Sequence, residues 1–128
     1  MKSEEPKLYR LIDANLNRLR EGIRTLEDIE RYIYENKTLA KKLKNLRHQV
    51  RFEDKKLLAY RDIAGDILKQ TTPSEAKRTS IEELLRANMK RAQEAARVLE
   101  EAFKLIDTLT AQQFKQIRYE LYDIEKEL

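Results

Sequence analysis

Two sets of polar side chains with identical spacing are the strongest chemical signal in this sequence. Each set consists of an asparagine, an arginine three residues later and a glutamate three residues after that. The first set is Asn15, Arg18 and Glu21, and the second is Asn88, Arg91 and Glu94. Side chains three or four residues apart share one face of an α-helix, and arginine binds phosphate through paired hydrogen bonds. The pattern therefore predicts two polar clusters that together handle an anion.

Both sets belong to a longer internal repeat. Seven positions are identical at one fixed offset, which is the separation of Asn15 from Asn88, and the acidic residues Asp28 and Glu101 follow them. In the first copy the identical residues are Ala14, Asn15, Arg18, Glu21, Arg24, Leu26 and Glu27. A weaker match, at a slightly shorter offset, relates residues 43–48 to residues 114–119. The repeat indicates a duplicated helical hairpin with a pseudo-two-fold axis between the copies.

The polar residues that the copies share have two possible explanations. On a helical wheel Asn15 and Asn88 lie within the apolar stripe, where a buried amide without partners costs about 1–3 kcal/mol. The arginine of each set lies beside the asparagine and within reach of the glutamate. The sets therefore form either a polar pocket between the copies or a structural network that holds the hairpins in register. Arg24 and Arg97 lie almost opposite the asparagines and are predicted to form surface ion pairs, with contact to a partner subunit or a folded-over loop as the alternative.

Apolar periodicity and capping signals predict an all-α fold, a four-helix bundle of two duplicated helical hairpins. The first helix is expected over residues 6–34, with Ile33 in its buried stripe, and Thr38 is expected to cap the second helix. Ser80 and Thr110 each begin a capping-box pattern, which predicts the starts of the third and fourth helices.

The organisation expected from this pattern is one domain that spans residues 1–128. Repeat 1 is expected at about residues 6–58 and repeat 2 at about residues 80–127. Between them the helical pattern fails at about residues 59–79, which predicts a long crossover loop.

Composition excludes several classes of protein. Charged residues make up 39% of the chain, and the net charge of +4 comes from interleaved acidic and basic residues, which argues against a basic arm for nucleic acid. The chain has no cysteine, which excludes disulfides and thiolate metal sites. No apolar stretch approaches the roughly 18 residues of a membrane span, so we expect a cytoplasmic protein without a membrane partner. A helical bundle of this size often dimerises, so a homodimer is a further expectation.

The crossover loop holds two aspartates, Asp62 and Asp66, on either side of Gly65. Two such carboxylates can hold Mg²⁺ with water completing its coordination, although an acidic turn is more often only a turn. Arg47 and His48 are neighbours on the second helix, where a lone histidine is usually a surface or packing residue. Long loops in compact domains often carry function, so the loop is a candidate part of the site.

Several segments together resemble one known family. They are both copies of the repeat, Leu46-Arg47-His48 and Arg61-Asp62-x-x-Gly65-Asp66. The family consists of small hydroxymethylpyrimidine-phosphate kinases that stand alone or are fused ahead of thiamine-phosphate synthase, with a fold unrelated to the ribokinase-like enzyme of that step. The resemblance covers nearly the whole chain. The family pattern has proline before the loop glycine and a second glycine two residues after Asp66, where this sequence has Ala64 and Leu68.

The resemblance implies transfer of the γ-phosphoryl group of ATP to hydroxymethylpyrimidine phosphate, with Mg²⁺ bound to ATP. From the repeat and the wheel positions we assign catalytic roles to Arg18, Arg91, Glu21 and Glu94, substrate binding to Asn15, Asn88, Arg47, His48 and Arg61, and metal binding to Asp62 and Asp66. Both glutamates of the repeat are further candidate ligands for Mg²⁺. The alternative is a non-catalytic helical module that dimerises and docks onto thiamine-phosphate synthase, fused or separate.

Overall fold

The computed structural model describes residues 2–128, except for the side chains of Lys2, Ser74 and Glu75, and these residues contain helices but no strand. The predicted all-α class is therefore confirmed. After a 3-10 turn at Lys2–Glu4, the helices are α1 (Glu5–Asp28), α2 (Lys37–Gln49), α3 (Lys55–Ala59), α4 (Pro73–Ala76), α5 (Ile81–Phe103) and α6 (Thr108–Glu125). None of the described helices is both long enough and apolar enough to cross a membrane.

The first helix ends differently from the expectation of a continuous α-helix to residue 34. α1 ends at Asp28 and continues as a π-helical turn over Ile29–Ile33. The wider turn changes the angular spacing of side chains, so Ile33 leaves the buried stripe and is 51% exposed. The prediction that Ile33 belongs to the core was therefore wrong.

Side-chain caps start the next helices, at positions that partly differ from those predicted. The Asn36 side chain accepts a hydrogen bond from the Leu39 N–H and caps α2, so the predicted cap at Thr38 was wrong. The predicted cap of α5 is confirmed, because the Ser80 hydroxyl oxygen accepts from the Glu83 N–H at 3.0 Å. The two caps satisfy backbone donors that the first turn of a helix leaves unpaired.

α6 also begins earlier than its capping-box pattern suggested. The Asp107 carboxylate accepts from the Leu109 N–H and from the Thr110 hydroxyl, so Asp107 is the cap. Thr110 lies inside the helix and is buried, and the prediction that it caps α6 was wrong. An ionised carboxylate is favoured at this position because it faces the positive end of the helix dipole.

The long helices form two hairpins, α1–α2 and α5–α6, whose longest helices pack against each other. Lys42 near the start of α2 pairs with Glu127 beyond the end of α6 at 3.0 Å, so α2 and α6 run in opposite directions. The ring of Phe52, just after the end of α2, contacts the ring of Phe103 at the end of α5, with 4.7 Å between centroids. α2 and α5 therefore run in the same direction. Since α1 is antiparallel to α2 within its hairpin, α1 and α5 are antiparallel. Their buried faces form the centre of one apolar core.

α1 packs closely against α5 at Gly22. A Cβ atom placed there would lie 3.3 Å from the Ala92 Cβ and 3.3 Å from the Asn88 carbonyl oxygen. Such distances are tighter than ordinary van der Waals contact, so a larger side chain at residue 22 forces the helices or the side chain to shift. The missing side chain thus lets the two repeat-bearing helices pack closely.

Each hairpin contains a buried ion pair at an equivalent place. In the first, Arg47 on α2 contacts Glu27 on α1, with 2.8 Å between Nε and Oε1. In the second, Nη2 of Arg118 on α6 lies 3.2 and 3.3 Å from the two carboxylate oxygens of Glu100 on α5. A hydrogen bond to the Tyr122 hydroxyl, with that to Glu100, raises the pKa of Arg118. These pairs explain why the weaker match, between residues 43–48 and 114–119, includes an arginine.

Replacing Glu100 by glutamine is expected to lower the free energy of unfolding by about 3–5 kcal/mol, because it leaves the buried Arg118 guanidinium without a compensating charge. Urea denaturation followed by circular dichroism measures the change. The matched control is Glu101→Gln, since Glu101 is the next residue and pairs with Arg97 and Lys104 at the surface. The control should lose much less stability. Equal losses in the two variants would contradict a structural role for the buried pair.

Candidate anion-binding groove

A cavity of about 650 Å³ lies where α1 packs against α5, and both polar sets line it. We call it the central groove. The residues of the repeat that line it are Asn15, Arg18, Glu21, Asn88, Arg91 and Glu94. Gly22, Thr25, Leu68, Ala95 and Val98 complete its lining. The two sets, which are distant in the chain, therefore face one shared space.

The two asparagines have the same geometry. The Asn15 Nδ2 donates a hydrogen bond to the Leu11 carbonyl at 2.9 Å, and the Asn88 Nδ2 donates to the Leu84 carbonyl at the same distance. Each bond fixes the amide against its own helix. Within residues 2–128 neither side-chain oxygen accepts a hydrogen bond. These oxygens are consequently available as acceptors for a donor on a bound molecule.

The arginine and glutamate side chains of the two sets are exposed and unpaired. Neither the Arg18 nor the Arg91 guanidinium makes an ion pair or a hydrogen bond with any residue that the structure describes. The same holds for the carboxylates of Glu21 and Glu94, so the pairing within each set that the spacing suggested is not formed. Two guanidinium groups, one from each repeat, are therefore free to hold a phosphate by paired hydrogen bonds.

Arg24 and Arg97, the second pair of arginines that the two copies share on α1 and α5, form ion pairs outside the groove. The Arg24 Nε lies 3.4 Å from the Asp28 carboxylate, and Arg97 contacts Glu100 at 3.1 Å and Glu101 at 3.4 Å. Neither arginine lines the central groove. The prediction that both form surface ion pairs is confirmed.

A second cavity of about 1130 Å³ lies on the side of the crossover loop, and we call it the loop extension. It shares Asn15, Arg18, Glu21 and Val98 with the central groove. Its remaining lining residues are Lys7, Arg10, Leu11, Asp13, Ala14, Asn17, Arg61, Asp62, Ile63, Gly65, Asp66 and Ile67. The shared residues make the two cavities neighbouring parts of one site.

Two contacts hold the loop against α1. The Arg61 guanidinium donates two hydrogen bonds of 2.7 Å to the buried Asp13 carboxylate. Arg10 donates to the Asp62 carbonyl oxygen at 3.2 Å. The hydrogen bonds and charge of Asp13 raise the pKa of Arg61. Arg61 thus lines the loop extension, as a substrate-binding residue must, but its charge is already matched by Asp13.

The loop aspartates shape the loop backbone. Asp62 Oδ1 accepts from the Gly65 N–H at 2.8 Å, and Asp66 Oδ1 accepts from the Leu68 N–H at 3.0 Å. Both side chains line the loop extension. The described part of the chain contains no group of three or more acidic or histidine side chains that could hold a metal ion. Mg²⁺ is commonly bound through only one or two carboxylates together with a ligand's phosphates, and the two loop aspartates match that number.

The structure does not bring Arg47 and His48 to the groove. Arg47 binds the buried Glu27 carboxylate, and His48 is exposed on α2. Neither residue lines the central groove or the loop extension. The segment Leu46-Arg47-His48 was part of the family resemblance, and in the structure its arginine forms the buried ion pair with Glu27.

Some residues that line the two cavities are not marked by any sequence pattern. Asp13 is missed because its partner Arg61 lies 48 residues away, and no local pattern links them. Ile63, Ile67 and Leu68 are missed because they lie in a segment without periodicity. Three large aliphatic residues so close together in a loop are the one signal that could have marked them.

Comparison of the sequence with known proteins identifies relatives and a family. The chain is 45% identical over 123 residues to a thiamine-phosphate synthase of Synechocystis sp., covering 94% of the chain and 36% of the relative. It is 42% identical to one from Nostoc punctiforme, covering 94% and 35%, and 36% identical to one from Rhodopirellula baltica, covering 98% and 35%.

The chain therefore spans about a third of the length of the curated relatives it matches. No solved structure matches it. The pattern that defines the ThiD2 family matches residues 10–127, which include both copies of the repeat and the crossover loop. This chain belongs to the ThiD2 family.

Proposed function

We propose that this chain is an ATP-dependent kinase that converts hydroxymethylpyrimidine phosphate to the diphosphate. The observation that supports this most directly is the pair of free arginines, Arg18 and Arg91, in one groove. The substrates are proposed from the resemblance, because both repeats and the loop resemble those of hydroxymethylpyrimidine-phosphate kinases. Relatives named thiamine-phosphate synthase agree with a role in the same biosynthesis.

The reaction is a phosphoryl transfer between two anions. An oxygen of the acceptor phosphate forms a bond to the γ-phosphorus of ATP, the bond from that phosphorus to the bridging oxygen breaks, and ADP leaves. The acceptor oxygen is already anionic, so no general base is needed to create a nucleophile. The protein must instead hold two polyanions in line and neutralise the charge that repels them.

The free arginines suit this task. Arg18 and Arg91 come from opposite repeats, so in the proposal one binds the donor phosphates and the other binds the acceptor phosphate. Their planar guanidinium groups bind phosphate oxygens in pairs. The free side-chain oxygen of Asn15 or of Asn88 accepts a hydrogen bond from the amino group of the pyrimidine.

Unpaired carboxylates at the groove fit a nucleotide-bound Mg²⁺. Glu21 lines both cavities and forms no ion pair with the described residues, so it is the first candidate ligand, with Glu94, Asp62 and Asp66 as the others. When bound, Mg²⁺ supplies positive charge to the donor phosphates. Arg61 contributes by keeping the loop aspartates beside α1.

The first experiment measures ADP release by the purified protein with ATP, Mg²⁺ and hydroxymethylpyrimidine phosphate. We expect turnover with this substrate and none with unphosphorylated hydroxymethylpyrimidine, because the proposed acceptor is the phosphate group. Phosphorus NMR identifies the diphosphate product.

Circular dichroism on the same sample shows whether the protein is folded. A folded protein that releases no ADP above the ATP-only background would contradict the kinase. That result would favour the non-catalytic docking module instead, with the polar sets as structural networks.

Removing either free arginine is expected to lower kcat/KM strongly. Arg18→Ala and Arg91→Ala should each lose about 100-fold, since each removes a group that stabilises charge during transfer. Arg24→Ala is the matched control, because Arg24 is an exposed arginine on the same helix as Arg18 and pairs with Asp28 outside the groove. Steady-state kinetics of the three variants measure the effect.

Arg24→Ala should retain activity within about twofold of the unmodified protein, since it removes only a surface ion pair. Full activity of both groove variants, with unchanged circular dichroism, would exclude the arginines from phosphate binding. A comparable loss in the Arg24 variant would show that the effect is not specific to the groove.

A further inference from the structure

The crossover loop makes the site asymmetric although the two repeats are similar. Each repeat contributes the same three polar residues to the central groove. The loop is held beside the first repeat through Arg61 and Asp13, and there the central groove continues into the loop extension. The site therefore has two unlike halves, of about 650 and 1130 Å³.

The loop extension has an apolar wall. Ile63 is 72% exposed, Ile67 is 94% exposed and Leu11 is 42% exposed, and all three line this cavity. Large aliphatic side chains grouped around a cavity and open to water are typical of a surface that a ligand covers. A flat aromatic ring is the part of a phosphorylated metabolite that such a wall can bury.

The charged residues indicate where the rest of that ligand lies. Arg18 lines both cavities and forms no ion pair with the described residues. A ligand with its ring against the loop and its phosphates at Arg18 therefore extends from the loop extension to the boundary of the central groove. At that boundary its terminal phosphate is next to a second ligand held by Arg91.

We infer that the loop extension binds the adenine nucleotide, with the ring against Ile63 and Ile67, while the central groove binds the pyrimidine phosphate. The assignment rests on the proposed function, which requires both ligands. The larger cavity takes the larger ligand, and the shared Arg18 brings the donor phosphate to the acceptor. Ile63 and Ile67 are then the residues that distinguish a nucleotide from a ring-free polyphosphate.

A binding experiment tests the assignment with the double variant Ile63→Ser/Ile67→Ser. Both side chains are exposed, so the variant should keep its fold. Leu109→Ser is the matched control, because Leu109 is 74% exposed and lines neither cavity. Calorimetric titrations with ATP, with inorganic tripolyphosphate and with hydroxymethylpyrimidine phosphate, all with Mg²⁺, give three dissociation constants for each protein.

The double variant should bind ATP about tenfold more weakly than the unmodified protein, since it loses apolar contact with the ring. Its affinities for tripolyphosphate and for the pyrimidine phosphate should stay within about twofold, because neither contacts the two isoleucines. The control should match the unmodified protein for all three ligands.

The outcomes separate this inference from the proposed function. If the unmodified protein binds neither ATP nor tripolyphosphate, the kinase proposal fails and the inference fails with it. If ATP binds the unmodified protein and the double variant equally well, the kinase remains and the nucleotide does not lie against the loop. A loss confined to the pyrimidine phosphate would reverse the assignment of the two halves, and a parallel loss of tripolyphosphate would show that the loop does not recognise a ring.

Discussion

The close packing of α1 against α5 is the constraint on which the rest of the structure depends. Gly22 leaves room for Ala92 and for the Asn88 backbone at a distance that other residues do not fit without adjustment. Because the helices are antiparallel, each repeat presents its asparagine, arginine and glutamate to the same space. The close packing at Gly22 thus brings the two similar sequences to one shared groove.

Four arginines, two from each hairpin, fall into two groups by their partners. Arg47 and Arg118 lie beside buried glutamates and hold each outer helix against its long neighbour. Arg18 and Arg91 have no acidic partner among the described residues, and they line the groove. A buried charge requires a partner to offset its desolvation, whereas an exposed guanidinium can remain solvated until an anion arrives. The same residue type therefore stabilises the fold in one place and is available for a ligand in another.

The crossover loop makes the two parts of the site, the central groove and the loop extension, different from each other although the two repeats are similar. Phosphoryl transfer joins a large donor to a small acceptor, and a site of two identical halves would bind them without distinction. The Arg61–Asp13 ion pair places Ile63 and Ile67 on one side only. In the proposed site the duplicated helices provide the charges for both ligands, and the loop provides the difference between them. In this proposal the loop acts through its apolar side chains as well as through its aspartates.

The sequence by itself determined the helical class, the repeat and the six polar residues of the groove, because each depends on spacing along one helix. Local capping was predicted less well: Ser80 was confirmed, but Asn36 and Asp107 replaced Thr38 and Thr110 as caps. Only the tertiary structure decided that Arg47 binds Glu27, that Arg18 has no partner among the described residues and that Asp13 holds the loop. The physical reason is that helical periodicity specifies which face a side chain occupies, whereas its partner is specified by how residues distant in the chain pack together.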